Sequence, residues 1–138
     1  MESVCHEDRI FARLERGEEI LSCLKELRDE YDIENGFIQG IGAVDEVKLG
    51  NYNVEKEKYR EREFEGTFEV PSFSGNIGPD KIHTHITLSD PSFNPKAGHC
   101  GMARVSGTFE LIILTTPDKP LYHQFDPATG LDVFDFSF

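Results

Sequence analysis

Apolar side chains recur at a convincing helical spacing in only one stretch, residues 17 to 31, and that restriction governs what the chain can fold into. Gly17-Glu18-Glu19 opens this helix, which the spacing carries to about Tyr31. Ile20, Leu24, Leu27 and Tyr31 fall three and four residues apart, and Leu21 widens the stripe. Glu18 and Glu19 suit the positive end of the helix dipole, Arg28 suits the negative end, and Asn35-Gly36 supplies a stop. The rest of the chain reads as strand. The candidates are Val4 to Leu14, Phe37 to Tyr52, Tyr59 to Phe64, Thr67 to Ser74, Lys81 to Ser89, Gly101 to Thr115, Leu121 to Phe125 and Leu131 to Phe138. In the last of these, Phe134, Phe136 and Phe138 alternate cleanly. One long helix among many strands predicts an α+β fold, a largely antiparallel β-sheet packed against one main α-helix.

The length of 138 residues suits a single domain over 1–138, and eleven phenylalanines supply much of its core volume. No apolar run approaches the roughly 18 residues that span a bilayer, and the acidic start MESVCHEDRIF lacks the pattern of a signal peptide. A soluble, cytoplasmic protein is expected, with no membrane partner. Cys5, Cys23 and Cys100 are scattered and odd in number, which fits reduced thiols rather than a disulfide framework.

A formal net charge of −12 opposes binding to a nucleic acid, whose recognition normally needs a concentrated basic surface. Lys56, Lys58, Arg60 and Arg62 form the best basic group, but Glu55, Glu57, Glu61 and Glu63 interleave with them. That segment reads as a solvated edge strand or hairpin. Gly40-Ile41-Gly42 does not read as a phosphate loop, because it sits inside a strand pattern that continues through Val44 and Val47. A bulge or a close backbone approach accounts for it better.

The chemistry concentrates in HTHITLSDPSFNPKAGHC, from His83 to Cys100. Side chains two apart on a strand share a face, about 6.6 Å apart along the chain, so His83 and His85 can converge on one ion. His99, returning on a neighbouring strand after a turn containing Pro91 and Pro95, can supply a third nitrogen. Three neutral imidazoles make a divalent-metal site with an open position; zinc comes first, as an all-nitrogen tetrahedral set suits it, while iron, nickel and copper remain compatible with the same ligand type. They leave the ion its full charge, which favours a small anionic ligand there. Cys100 is sent to the opposite face by strand alternation; turned inward, it would add a soft ligand. His6 and His123 fall outside the pattern and read as ordinary surface residues.

Five landmarks in register carry a resemblance over nearly the whole chain. They are RLERGEEILSCLKEL at 13 to 27, GFIQGIGAVDEVKLGNY at 36 to 52, FEGTFEVPSFSGNIG at 64 to 78, HTHITLSD, and AGHCGMARVSGTFELII. In these the chain resembles the plants and prokaryotes conserved (PPC) domain family, stand-alone prokaryotic type. The resemblance implies a compact α+β domain that assembles as a homotrimer. It also places a three-histidine metal pattern on His83, His85 and His99. Plant relatives join the domain to an AT-hook with an Arg-Gly-Arg core. Here Arg16-Gly17 is followed by Glu18, so the resemblance lends DNA binding little support.

No catalytic residue is identified. Asp90 and Glu69 are the acid–base candidates, Asp90 if a turn redirects it and Glu69 if its strand neighbours the histidine strand. A cupin-like barrel also opens its metal motif with H-x-H, but Gly78 stands one residue too close to His83 and Asp90 occupies a position where glutamate is expected.

Overall fold

The computed structural model describes residues 1–116 and 119–137. Its first segment is two strands rather than the single one expected from Val4 to Leu14. β1 (Glu2–His6) and β2 (Arg9–Leu14) form a hairpin in which His6 faces Arg9. Glu7 makes the reversal with a left-handed backbone, φ 56. A Glu-Asp turn lacks the Gly or Asn that marks most tight hairpins, so the sequence runs through it without a visible break.

The helix α1 (Ile20–Glu30) buries Ile20, Cys23, Leu24 and Leu27, the face that its spacing marks as apolar. Glu19 caps it: its carboxylate accepts from the amides of Leu21 and Ser22 and also from Ala103 on a distant strand. The cap thereby ties the helix to the sheet as well as satisfying its first turn.

Four strands carry most of the remaining chain: β3 (Gly36–Asn53), β4 (Lys58–Ile77), β5 (Ile82–Ser89) and β6 (Pro95–Thr115). The segments expected as Tyr59 to Phe64 and Thr67 to Ser74 are one strand, because β3 runs beside both. Likewise β6 begins before Gly101, so Pro95 opens a strand rather than lying in a turn. Every pairing is antiparallel, in the order β1-β2-β6-β3-β4-β5. A second pairing of β5 with β6 closes β6-β3-β4-β5 into a ring. Its interior is filled by Ile38, Val44, Val47, Phe73, Ile86, Leu88, Val105 and Phe109, the two phenylalanines meeting edge to face at 5.5 Å.

β3 slips register between Gly40 and Gly42, as the glycines suggest. A Cβ on Gly42 would lie 2.4 Å from the Thr108 carbonyl oxygen, so that backbone approach requires glycine. Leu121 to Phe125 is strand only from His123: β7 (His123–Asp126) pairs with β8 (Leu131–Phe134) in a separate hairpin. Phe136 lies beyond β8, and Phe138 lies outside the described residues.

The C-terminal hairpin is fastened to the sheet by polar contacts. Asn35, buried, donates its amide to the Lys119 carbonyl and accepts from the Leu121 amide at 2.6 Å. The Tyr52 hydroxyl donates to the Thr129 carbonyl at 2.9 Å, and the Lys81 ammonium to the Asp132 carbonyl at 3.2 Å. Among the described residues no helix is long and apolar enough to cross a membrane.

The outer face of β1, β2, β6 and β3 is unusually apolar. Val4, Phe11, Phe37, Ile41, Ile112 and Leu114 are all exposed, Val4 and Ile41 by more than half at 59% and 55%. A cleft of about 730 Å³ runs along part of this face between Val4, Phe11, Ile41 and Ile112.

Candidate metal centre

Strand alternation sorts β5 into two faces. Thr84, Ile86 and Leu88 point into the core, which sends His83 and His85 outward together. β6 then places His99 directly opposite His85 in the antiparallel ladder. Two residues of one strand and one of its neighbour thus meet on the outer wall of the ring. The ring centroids are 5.1 Å apart for His83 and His85, 5.2 Å for His83 and His99, and 5.6 Å for His85 and His99. The Nε2 atoms of His83 and His85 stand 3.2 Å apart. Each of the three residues offers a nitrogen, and these atoms all lie within 4.8 Å of one another.

The environment favours neutral rings. Burial, followed by the neighbouring His99 and His85, pushes His83 down to about 4. His99 is also lowered, by burial first and then by His85 and Lys81, with Glu61 acting weakly the other way. At neutral pH both rings therefore carry a free lone pair, the form a metal requires. Two nitrogens bound at about 2.05 Å to a tetrahedral ion stand roughly 3.3 Å apart. The His83–His85 separation fits that value, and an all-imidazole donor set suits zinc among the borderline metals.

One further group flanks the trio and another precedes its first strand, and neither follows from the histidine motif. The Tyr59 ring meets His99 edge-on, centroids 6.0 Å apart, and its hydroxyl donates to Glu61 at 3.2 Å. Glycine makes this possible: a Cβ on Gly50 would lie 1.9 Å from the Tyr59 hydroxyl, and one on Gly101 2.5 Å from the Glu61 carboxylate. Register explains the grouping, since Gly50 pairs with both His99 and Glu61. Burial, and then Glu61, hold the Tyr59 hydroxyl in its protonated form by raising its pKa.

Just before β5 stand Lys81 and Asp80, the latter paired with His123. His123 is not the ordinary surface residue expected: its side chain is only 7% exposed and its ring packs on Phe134, centroids 4.9 Å apart. Asp80 accepts from the His123 backbone amide at 2.9 Å and meets its Nδ1 at 3.1 Å. Burial works to raise the Asp80 pKa, but these two bonds outweigh it and hold the carboxyl below its usual range. His123 could not be read from the sequence because it belongs to a hairpin far from the motif.

Other candidates are not brought to the trio. Cys100 points into the core at 1% exposure, and burial pushes its thiol up to about 12, so it does not present a thiolate to the outer face. Asp90 closes the turn after β5 instead of reaching the site. Its carboxylate accepts from the amides of Ser92 and Asn94 and from Lys96, and the Asn94 amide and Lys96 chiefly hold it down at about 2. Glu69 does lie on a strand beside β5, but opposite Ser89. That is four residues beyond His85, roughly 13 Å along the strand. His6 is exposed on β1, as expected.

A family model, the Plants and Prokaryotes Conserved (PCC) domain, matches residues 1–117. Among solved structures, a metal-containing protein from Archaeoglobus fulgidus is 27% identical, with 96% of each chain covered and a TM-score of 0.87. A candidate DNA-binding protein from Bacteroides thetaiotaomicron is 25% identical, covering 99% of this chain and 98% of its own, at a TM-score of 0.94. A plant- and prokaryote-conserved (PPC) protein from Pyrococcus horikoshii shares the fold at 24% identity, covering 92% of this chain and 90% of its own, with a TM-score of 0.85. The chain is also 24% identical over 120 residues to the bifunctional protein GlmU of a Synechococcus strain. It covers 86% of this chain but spans only 18% of that protein's length.

Proposed function

The chain belongs to the Plants and Prokaryotes Conserved (PCC, also written PPC) domain family, and from that premise we propose that it is a divalent-metal protein whose ion is held by His83, His85 and His99. The observation that carries this reading is the convergence of three imidazole nitrogens from two strands within 4.8 Å. The metal-containing Archaeoglobus relative supports it. Zinc is the first choice, from the donor set and the His83–His85 spacing. The ion would supply Lewis-acid polarisation to a small anion at its open position. The protein's own part is to keep His83 and His99 unprotonated, to hold His99 against Tyr59, and to shut Cys100 into the core. The biochemical role is ligand binding or catalysis at this position in a cytoplasmic protein.

The test is metal analysis of protein purified without a histidine tag. About one ion per chain is expected, lost when His83, His85 or His99 becomes Ala while the circular dichroism spectrum is kept. Substoichiometric metal that is unaffected by all three substitutions overturns the reading.

The protein acts in this reading as a homotrimer. The apolar outer face of β1, β2, β6 and β3 supports self-association, because monomers rarely leave so many large apolar side chains in water. Light scattering should give three times the chain mass, and Ile41→Glu should lower it. The same face favours a second reading, an interaction module with a structural metal. Dissociation of the assembly on chelation would select that one. Duplex DNA is not among the proposed partners, given the net charge of −12.

A further inference from the structure

We propose that the cleft where β6 parts from β3 is a second binding site, which takes the carboxylate or phosphate group of a small organic anion on Arg60 and Arg62. It is independent of the metal reading. The cations of this segment alternate with glutamates, and along the sequence the two signs cancel. On a strand, a period of two separates them. Lys58, Arg60 and Arg62 fall on one face of β4, Glu61 and Glu63 on the other. Arg62 stands opposite Leu49, and Leu49 opposite the buried Cys100, so the cationic row looks to the inner side of the sheet. Glu61 stands opposite Gly50 and is turned the other way. Its carboxylate lies over Gly101 and accepts from Tyr59 at 3.2 Å.

The opposite wall comes from β6. It pairs with β3 only as far as His99, opposite Gly50, and from His99 back to Pro95 it pairs with β5 instead. Where the two part, a cleft of about 320 Å³ opens, with Gly50 and Asn51 on one side and Lys96 and Ala97 on the other. Arg60, Arg62 and Phe64 line it as well. That volume lies at the lower end of small-ligand sites. The Arg62 guanidinium sits over the Phe64 ring, 4.9 Å from its centroid, and the Lys96 ammonium stands 6.0 Å from the same centroid. Asp90 neutralises Lys96 at 3.1 Å. Among the described residues no carboxylate pairs with Arg60 or Arg62, so these two carry the surplus positive charge. A guanidinium lying over a ring keeps its N–H edge free, and that planar fork matches two oxygens of a carboxylate or phosphate. Phe64 and Leu49 give the remainder of such a ligand an apolar floor.

The experiment titrates the full-length protein with phenyl phosphate and, separately, with benzoate, by isothermal calorimetry at constant ionic strength. Arg60→Gln and Arg62→Gln, with circular dichroism spectra kept, are each expected to bind about ten-fold more weakly, the loss of one hydrogen bond to a charged group. Arg60, at an exposed strand end, decides the matter if Arg62→Gln loses its fold. Arg62→Lys should fall between, since it keeps the charge and loses the fork. Arg13→Gln removes an exposed arginine of the β1–β2 hairpin and should bind as the wild type does. Tighter binding of phenyl phosphate points to phosphoryl ligands and tighter binding of benzoate to carboxylates, and each supports the proposal. A wild type that binds neither probe at about 10 mM overturns it, as do affinities within about two-fold for both Gln variants, or an equal loss in Arg13→Gln. Binding lost in His83→Ala but kept in Arg62→Gln would put the anion at the histidines, overturning this proposal and leaving the metal reading intact.

Discussion

Acidifying the metal-free protein from pH 7 to pH 4 should destabilise it in a way that depends on His83. Its pKa falls from the ordinary 6.5 to about 4, through burial first and the adjacent His99 and His85 next. The unfolded chain takes up a proton on this ring near pH 6.5, whereas the native protein refuses it until about pH 4. Between those values the unfolded state binds more protons, so stability falls as the pH falls, and above 6.5 the effect vanishes. At ~1.36 kcal/mol per pH unit, the interval caps the loss at roughly 3 kcal/mol. The ring is half-buried, and solvent screening reduces this to about 1–2 kcal/mol. Urea midpoints measured by far-ultraviolet circular dichroism give the readout, at fixed protein concentration because assembly would couple to it. For a urea slope near ~1.5 kcal/mol per molar, the midpoint should drop by about 1 M more in the wild type than in His83→Gln over this window. Superimposable pH profiles for the two proteins would refute the reasoning, because the penalty would then lie elsewhere.

Three substitutions separate the parts of the scaffold. Gly75→Ala puts a methyl 2.1 Å from the His83 carbonyl oxygen and 2.8 Å from the Thr84 Cα. It should cost about 2–3 kcal/mol in thermal or urea unfolding and weaken metal uptake by displacing β5 from β4. Cys100→Ser should leave metal stoichiometry unchanged while costing about 1–3 kcal/mol, because it buries a hydroxyl in the core; loss of metal with the fold retained would make Cys100 a ligand after all. Glu19→Ala removes the acceptor shared by Leu21, Ser22 and Ala103. It should cost about 1–2 kcal/mol in urea unfolding without altering metal uptake.

The fold class was legible because helical and strand periods differ: the spacing of Ile20, Leu24 and Leu27 matches the buried stripe of α1. Boundaries were less legible where a turn lacked its usual residues. Glu7-Asp8 reverses the chain without Gly or Asn, and only the left-handed φ of Glu7 records it. The opposite holds between Phe64 and Thr67, where two expected strands are one, β4. The long β3 partner carries β4 through this interval, and that pairing is a tertiary fact which no local window contains.

Two histidines of the trio follow from alternation alone, but the third needs the register of β5 with β6. Its proximity depends on where the turn after Ser89 lets β6 begin, and Asp90 fixes that turn by accepting from Ser92 and Asn94. Asp90 thus contributes to the site as the residue that sets strand register, not as an acid or base. The inward neighbours contribute in the same way. Thr84 and Cys100 are held in the core at 1% exposure each, and alternation then leaves His83, His85 and His99 no inward option. A one-residue slip of β5 against β6 would turn these faces over, burying imidazoles and exposing core residues together. Core packing and the candidate metal centre are therefore two faces of a single strand register, and a change that loosens the core between β5 and β6 should also separate the histidine nitrogens.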